Sequence, residues 1–407
     1  MRLLYTFGAM PVAGYLDPDE TSSKNARRFE LGIAICQNDG LVQQAYSDSK
    51  ESLIKLVYTN FQPTYTTSGL VSNYIESFLA KAIKSSGAKL GDYVMEVGSN
   101  DGLLLQLLKK RGMNPIGFEP SSDLSSRTRS LGIEVIEDFF GAESARNFIE
   151  HRPPVKLLIS RHTLEHAFDP LDFLHGIEIV LEPEGLAVIE IPYLRLQMMN
   201  GHFEAMTFQH TTFFTINSID KALRCAGLQP VDVTFVDMDG GSMVIFLRKV
   251  NIRQKSRVDE IENILAFERT WQLDRGSGYK AFFQNVNLIC KRARNHLTEL
   301  SDKGCKIVGY GAGSKGQSLL NMLRLDTKQV PFVIDDTPGN AGKYIPGTGI
   351  LVISSRDARA SHSDVIFITA PTHIQEILQK EIYRRKDGTK FLATVPDYHY
   401  NAVPTLL

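Results

Sequence analysis

The chain has 407 residues, more than one ordinary hydrophobic core supports, so two or three domains are expected. Its composition is 43% hydrophobic and 22% charged with a formal net charge of −1, which suits a globular protein and gives no footing for nucleic acid as the main partner. No apolar run reaches membrane-spanning length, and the N-terminus lacks a charged head followed by an apolar stretch, so a cytoplasmic setting without a membrane partner is expected. Cys36, Cys225, Cys290 and Cys305 are scattered and form no CxxC pair, which signals neither a disulfide framework nor a zinc cluster.

Residues 1–70 are mixed, with short strands in FELGIAIC and LVQQAY and few helix signals. SNYIESFLAKAIKSS reads as an amphipathic helix leading into a segment, 71–250, where strands and helices alternate. YVMEVG, PIGFEP, IEVIED, VKLLISR and LAVIEIPY are mostly continuous apolar runs, the mark of parallel strands buried on both faces. PVDVTFVDM and SMVIFLRK follow, joined by DGG, as a closing antiparallel hairpin. Seven strands in this order predict an α/β fold of the class I methyltransferase kind, a Rossmann-like seven-stranded sheet. Residues 251–407 begin with two charged helices split by the breaker GSG and continue into a second Rossmann-like unit: CKIVGYGAGSKGQSLLNML is strand, Gly loop and helix, and VPFVIDD and SDVIFITAP are further strands.

The segment EVGSNDGLLL carries the first chemical signal. It reads as a strand end, a tight turn with Gly98 and Gly102, and a helix beginning near Leu103. About twenty residues on, a second strand ends in Glu119, where such folds hold a ribose diol. The turn is GSNDG and not GxGxxG, and Asp101 suits a cationic ligand better than a pyrophosphate. S-adenosyl-L-methionine presents an ammonium, a carboxylate and a sulfonium and no phosphate, so it is the expected cofactor. Glu96, Gly98, Ser99, Asn100 and Asp101 would line its site, with Glu119 and Pro120 after the second strand and Asp138 and Phe139 after the third. Asp138 is equally placed to bond the adenine amine or to cap the next helix. His162 is expected as a wall of the same pocket. An NAD-linked oxidoreductase is the least favoured class, because the turn spacing is wrong and carries an acid.

Over nearly its whole length the chain resembles the sugar C-methyltransferases that act on nucleotide-linked 4-keto-deoxysugars. The resemblance is carried by LGIAICQNDGLVQ, EVGSNDGLLL, EIPYLRLQMMNGHFEAMTFQHTTFFT, GYGAGSKGQSLLN and VIDDTPGNAGKYIPGTGI. It implies an N-terminal zinc domain, a central cofactor domain and a C-terminal Rossmann-like domain, with the sugar nucleotide between the last two. It also implies that a base removes a proton beside a ketone and that the resulting enolate takes the methyl group, chemistry that needs no metal. The family's base ends a Tyr-His-Glu-His run, which here reads Thr207, Phe208, Gln209, His210, so His210 is the expected base. Thr207 is shorter than the tyrosine, and Gln209 cannot ionise as the glutamate does. His166 matches a second active-site histidine, and Tyr65 falls near an aromatic that reaches the substrate. Tyr193, in EIPY, is placed to contact cofactor or sugar. In the second Gly loop, N–H groups at a helix start together with Lys315 suit a diphosphate, which the resemblance assigns to the sugar nucleotide. Gly311, Ala312, Ser314 and Lys315 are named for it, and Asp335 for a ribose or hydroxyl. Only Cys36 remains of the zinc ligands, with Asp39 where its partner would stand, so no structural zinc is expected and the shortened N-terminal domain should be held by packing alone. Methyl transfer to oxygen or nitrogen of a related sugar and a non-catalytic nucleotide-binding protein are the alternatives, and the assembly, monomer or homodimer, is left open.

Overall fold

Backbone pairing sorts the strands into three sheets. The computed structural model describes residues 1–45, 69–250, 259–359 and 361–394 and a last short strand at Thr405–Leu406; Tyr65 lies outside the described residues. The N-terminal part contributes β1 (Arg2–Pro11), β2 (Arg28–Ile35) and β3 (Val42–Gln44), all antiparallel, with a short helix, Glu20–Lys24, between the first two. Helix Gly69–Ser86 then leads into β4 (Tyr93–Val97), β5 (Asn114–Phe118), β6 (Glu134–Ile136), β7 (Val155–Arg161) and β8 (Leu181–Pro192). A two-residue strand, β9 (Thr212–Phe213), leaves this segment and pairs with β3, so the first sheet has the order β1-β2-β3-β9. β10 (Leu228–Val236) and β11 (Ser242–Lys249) complete a seven-stranded central sheet, β10-β11-β8-β7-β4-β5-β6, parallel except for β11. This is the class I methyltransferase arrangement expected from the sequence. Adjacent residues feed opposite faces: Val94, Leu157 and Val188 join one core, Met95, Leu158 and Ile189 the other, which is why these strands read as unbroken apolar runs.

Helices Asp259–Thr270 and Tyr279–Asp302 lead to the third sheet. It contains β12 (Ile307–Tyr310), β13 (Phe332–Ile334), β14 (Leu351–Ile353), β15 (Val365–Ile368), β16 (Lys390–Ala393) and β17 (Thr405–Leu406), all parallel, in the order β14-β13-β12-β15-β16-β17. In both parallel sheets the strand bearing the Gly loop, β4 or β12, sits where the order reverses, so each loop opens on a crevice at the carboxyl edge. Among the described residues no helix is long and apolar enough to cross a membrane.

The N-terminal strands have no core of their own. Leu31 and Ile33 of β2, Phe283 and Val286 of the long helix, and Leu320 and Val333 of the third sheet share one cluster. Packing alone, as expected from the sequence, is not the whole attachment. Asp17 and Tyr344 exchange two backbone hydrogen bonds of 2.8 Å. Fully buried Ser23 donates its hydroxyl to the Ile345 carbonyl at 2.6 Å and accepts the Gly349 N–H at 3.0 Å. Ser23→Ala leaves the Gly349 N–H without this partner and takes one bond from the Ile345 carbonyl, which keeps the Thr348 hydroxyl at 2.9 Å, so unfolding free energy should drop by about 1–3 kcal/mol in a denaturant titration; an unchanged midpoint would remove this joint from the account.

Candidate functional site

β4 ends at Gly98, whose φ is +74°, and a Cβ there would lie 2.2 Å from Thr163 Oγ1, so only glycine fits. The N–H groups of the turn are turned inward. Gly98 and Ser99 donate to the Phe118 carbonyl, Asn100 to Glu119 Oε2 at 2.9 Å, Asp101 to Asn100 Oδ1 and Leu103 to Asp101 Oδ1. A diphosphate cradle needs such donors open. The turn instead presents carboxylates. Glu96, Asn100, Asp101 and Arg161 line a solvent-open cleft; Arg161, not its neighbour His162, forms that wall. Burial raises the Glu96 carboxyl well above the usual range; Arg161 opposes the shift while Asp101 and Glu119 add to it. Glu96 Oε2 and Ser99 Oγ are buried without a hydrogen-bond partner. These two unpartnered oxygens of the cleft fit the ammonium end of S-adenosylmethionine, whose charge would favour ionised Glu96. Glu119 accepts the Asn100 and Ser121 N–H groups, which fix its carboxylate at the end of β5 and leave lone pairs for a diol. Burial raises its pKa against those two bonds. Pro120 follows, half-buried, while Asp138 and Phe139 are exposed at the rim. Asp138 bonds the Phe139 N–H, and the next helix, Ala142–His151, is capped at Gly141 with Ser144, so the capping alternative for Asp138 fails.

Beyond β7 and β8 lies a buried charge network. Arg161 Nε donates to Glu190 Oε2 at 2.5 Å, and the Tyr74 hydroxyl to Glu190 Oε1 at 2.9 Å. His162, at φ +48°, holds its ring 3.5 Å from Glu190, 3.4 Å from Glu165 and 4.0 Å from Asp239. Asp239 pairs with Lys315, which comes from the second α/β unit. Burial disfavours a charged His162, yet Glu165 and Glu190 carry its pKa to about 10. Burial likewise opposes ionised Glu190, and His162 and Arg161 bring it to about 2. Lys315 and His162 outweigh burial at Asp239 and hold it well below the carboxylate range. Three cations, Arg161, His162 and Lys315, thus face three anions, Glu165, Glu190 and Asp239.

The loop with His210 closes this network. The Glu165 carbonyl accepts the Thr211 N–H at 2.8 Å, the Thr211 hydroxyl reaches the Ala167 carbonyl at 2.6 Å, and Gln44 holds the Thr207 and His210 carbonyls. His166 Nδ1 donates to the Gln209 carbonyl at 2.8 Å. The His210 ring meets His166 edge to face at 5.0 Å between centroids. Burial, then the neighbouring His166, push the His210 pKa down to about 3, with Glu165 opposing, so the ring is neutral at pH 7. Ligand-type atoms of Glu165, His166 and His210 lie within 4.8 Å of one another. That donor set could take a metal ion, but Lys315 and charged His162 beside it weigh against a further dication. Thr207 is buried and its hydroxyl accepts the Gln209 N–H, so it shapes the turn; the Gln209 side-chain amide nitrogen is buried without a partner.

Sequence reasoning missed Tyr74, Arg161, Glu165, Glu190 and Asp239. All five stand in or beside segments already read for other reasons: Tyr74 in SNYIESFLAKAIKSS, Arg161 at the end of VKLLISR, Glu165 beside His166, Glu190 in EIPY and Asp239 in the DGG turn. Other expectations need correcting. Tyr193 does not face the site: it is fully buried and gives its hydroxyl to Glu268 at 2.6 Å, while Glu268 also accepts the Ile216 and Asn217 N–H groups. In the second Gly loop the Ala312 N–H already donates to Asp335 Oδ2 at 2.7 Å, and Lys315 is given to Asp239. Asp335 also accepts from Thr337 and Asn340, so it clamps the loop. Gly311 has φ +107°, and a Cβ on Gly316 would lie 2.3 Å from the Gly311 carbonyl, which makes Gly316 a packing glycine. Ser314 opens the helix Ser314–Met322. Cys36 is a free thiol in a turn closed by its own backbone bonds to Gly40 and Leu41.

Residues 70–233 match a methyltransferase domain model and residues 237–396 a C-methyltransferase C-terminal domain model. The chain is 26% identical over 392 residues to the C-methyltransferase NovU of Streptomyces niveus, covering 96% of this chain and 92% of that one. A ubiquinone biosynthesis O-methyltransferase of Actinobacillus pleuropneumoniae serotype 7 (strain AP76) is 26% identical over 137 residues, 31% of this chain and 54% of its own. A solved S-adenosylmethionine-dependent methyltransferase from Clostridium acetobutylicum ATCC 824 covers 44% of this chain and 92% of its own at 11% identity, with a TM-score of 0.36. On the two domain models and the full-length relative, the chain is an S-adenosylmethionine-dependent C-methyltransferase.

Because burial raises the Glu96 carboxyl well above the ordinary carboxylate range and an ammonium favours its ionised form, S-adenosylmethionine binding should release a proton, and affinity should rise as pH is raised. Calorimetry in buffers of different ionisation heat measures this, and Glu96→Gln should flatten the dependence. Tyr193→Phe should cost about 1–3 kcal/mol of stability by removing one of the hydrogen bonds to buried Glu268 and leave the KM for cofactor unchanged; a raised KM with unaltered stability would return Tyr193 to the site.

Proposed function

We propose that the methyl group goes to the carbon beside the ketone of a nucleotide-linked keto-deoxysugar, with His210 as the base that forms the enolate. The observation that carries this reading is the neutral, buried His210 ring set against His166 and Glu165 at the carboxyl edge of the central sheet, where Lys315 of the second unit also arrives. A carbon beside a ketone becomes a nucleophile only when its proton is taken, and a base can take it only from its neutral form. His210 has that form at pH 7. S-adenosylmethionine, when bound, would supply an electrophilic sulfonium methyl group, taken by that carbon as the S–CH3 bond breaks and its electron pair stays on the departing thioether. Glu96 and Asp101 would hold its ammonium and Glu119 its ribose. His166 would steady the enolate oxygen, while Thr207 and Gln209 keep the turn in shape.

The nucleotide would lie between the two α/β units, near Gly311, Ala312 and Ser314. Lys315 would then exchange the Asp239 carboxylate for a phosphate, since both are anions of similar reach. Asp335, clamping the loop, would meet the nucleotide only through its remaining lone pairs. Both substrate and cofactor belong to the cytoplasm, which is the setting this reading gives the chain.

His210→Ala should lower turnover by roughly 10²–10⁴-fold, the usual worth of a general base, while calorimetric affinity for S-adenosylmethionine stays unchanged. Full activity in that variant would refute the assignment.

A further inference from the structure

We infer that Glu165 is a positioning residue for proton abstraction, its carboxylate set to balance the imidazolium that His210 becomes. The inference rests on the reading of His210 as base. Glu165 stands in the short turn Leu164–His166 after β7, is 2% exposed, and has the His162 ring, at 3.4 Å, as its ion contact. A buried carboxylate held by a single histidine is costly, and one kept at a reacting centre calls for a use.

Its surroundings name that use. Glu190 is engaged by Arg161, Tyr74 and His162, and Asp239 by Lys315. Of the three acids in the network, Glu165 is the one without an arginine or lysine, its ion contact being His162 at 3.4 Å. The atoms it offers lie within 4.8 Å of His166 and His210. Its backbone fixes the register, because the Glu165 carbonyl accepts the Thr211 N–H at 2.8 Å, so the residue after His210 hangs from Glu165 itself. Gln209, on the other side of His210, contributes an amide and no charge.

When His210 takes the proton, the C–H bond breaks and its electron pair stays with the ketone unit as an enolate. A new cation then stands beside Glu165 in a site screened from water, where the attraction is strong. The same carboxylate is the largest influence opposing the downward shift of the His210 pKa. Once the new C–C bond has formed, the proton leaves His210 for solvent.

The test is deuterium exchange from solvent into the carbon beside the ketone of thymidine-diphospho-4-keto-6-deoxyglucose. It is followed by NMR without cofactor, for the wild-type chain, Glu165→Gln, Glu165→Asp and His210→Ala. Glu165→Gln keeps shape and loses charge, and should slow exchange by roughly ten- to a hundredfold, the scale of one preorganised electrostatic contact. Glu165→Asp keeps the charge at shorter reach and should fall between Gln and wild type. A structural role would not rank the two variants by charge. If His210→Ala abolishes exchange but Glu165→Gln lies within twofold of wild type, or Asp is no faster than Gln, the role of Glu165 falls and the base stands. If wild type does not exchange, or His210→Ala exchanges normally, the base reading falls and this inference with it.

Discussion

Three carboxylates and three cations, each buried or half-buried, must cancel one another at one edge of the central sheet. Glu190 at the end of β8 is fully buried, and such a charge persists only when paired where it stands. Arg161 and His162 meet it from β7, and Tyr74 reaches it from the helix that leads into the domain. Asp239, on the turn between β10 and β11, has its counter-charge in Lys315, from another sheet altogether. The pairing therefore ties the turn between β10 and β11 to the start of the helix Ser314–Met322 in the second α/β unit. His202, paired with Glu204, packs its ring so closely under Gly240 that a Cβ there would lie 2.8 Å away, which fixes the turn bearing Asp239.

The two α/β units use one device twice. In each, the acid ending the second strand accepts an N–H from the glycine loop of the first and another from the turn that follows it. Glu119 joins Asn100 to Ser121, and Asp335 joins Ala312 to Thr337. The clamp makes each loop rigid and takes a donor that a phosphate would use. The first loop is accordingly a place for a cation. The second has to offer the amides at the start of its helix and a lysine drawn from an ion pair, so nucleotide binding there is an exchange of partners and not the filling of an open cradle.

What was legible in the sequence follows from range. The seven strands and their order could be read because each is an apolar run with a turn signal beside it, and Gly98 because a positive φ at a strand end calls for glycine. β9 is two residues long and has no periodicity to read, so the strand that ties the first sheet to the methyltransferase segment was invisible. β1 is separated from β2 by a helix, with no hairpin turn to announce the pair. Tyr193 and Lys315 carry the right chemistry for a site, but their partners, Glu268 and Asp239, lie 75 and 76 residues away, and only the folded chain brings them together. Glu165 and Glu190 sat inside motifs read for other residues, because an acid in an apolar run gives no sign of whether it will be paired. The base candidate was legible from a run that keeps His210; that its ring would be neutral followed from burial, which the sequence does not show.

The central claim is that His210 lies against the carbon to be methylated. A crystal structure with S-adenosylhomocysteine and a nucleotide-linked keto-deoxysugar bound together tests it most directly. The account predicts a His210 ring nitrogen about 3–3.5 Å from the carbon flanking the ketone, with the cofactor sulfur close to that same carbon. A sugar bound with a hydroxyl or amine toward the sulfur, or with its ketone away from His210, would contradict it.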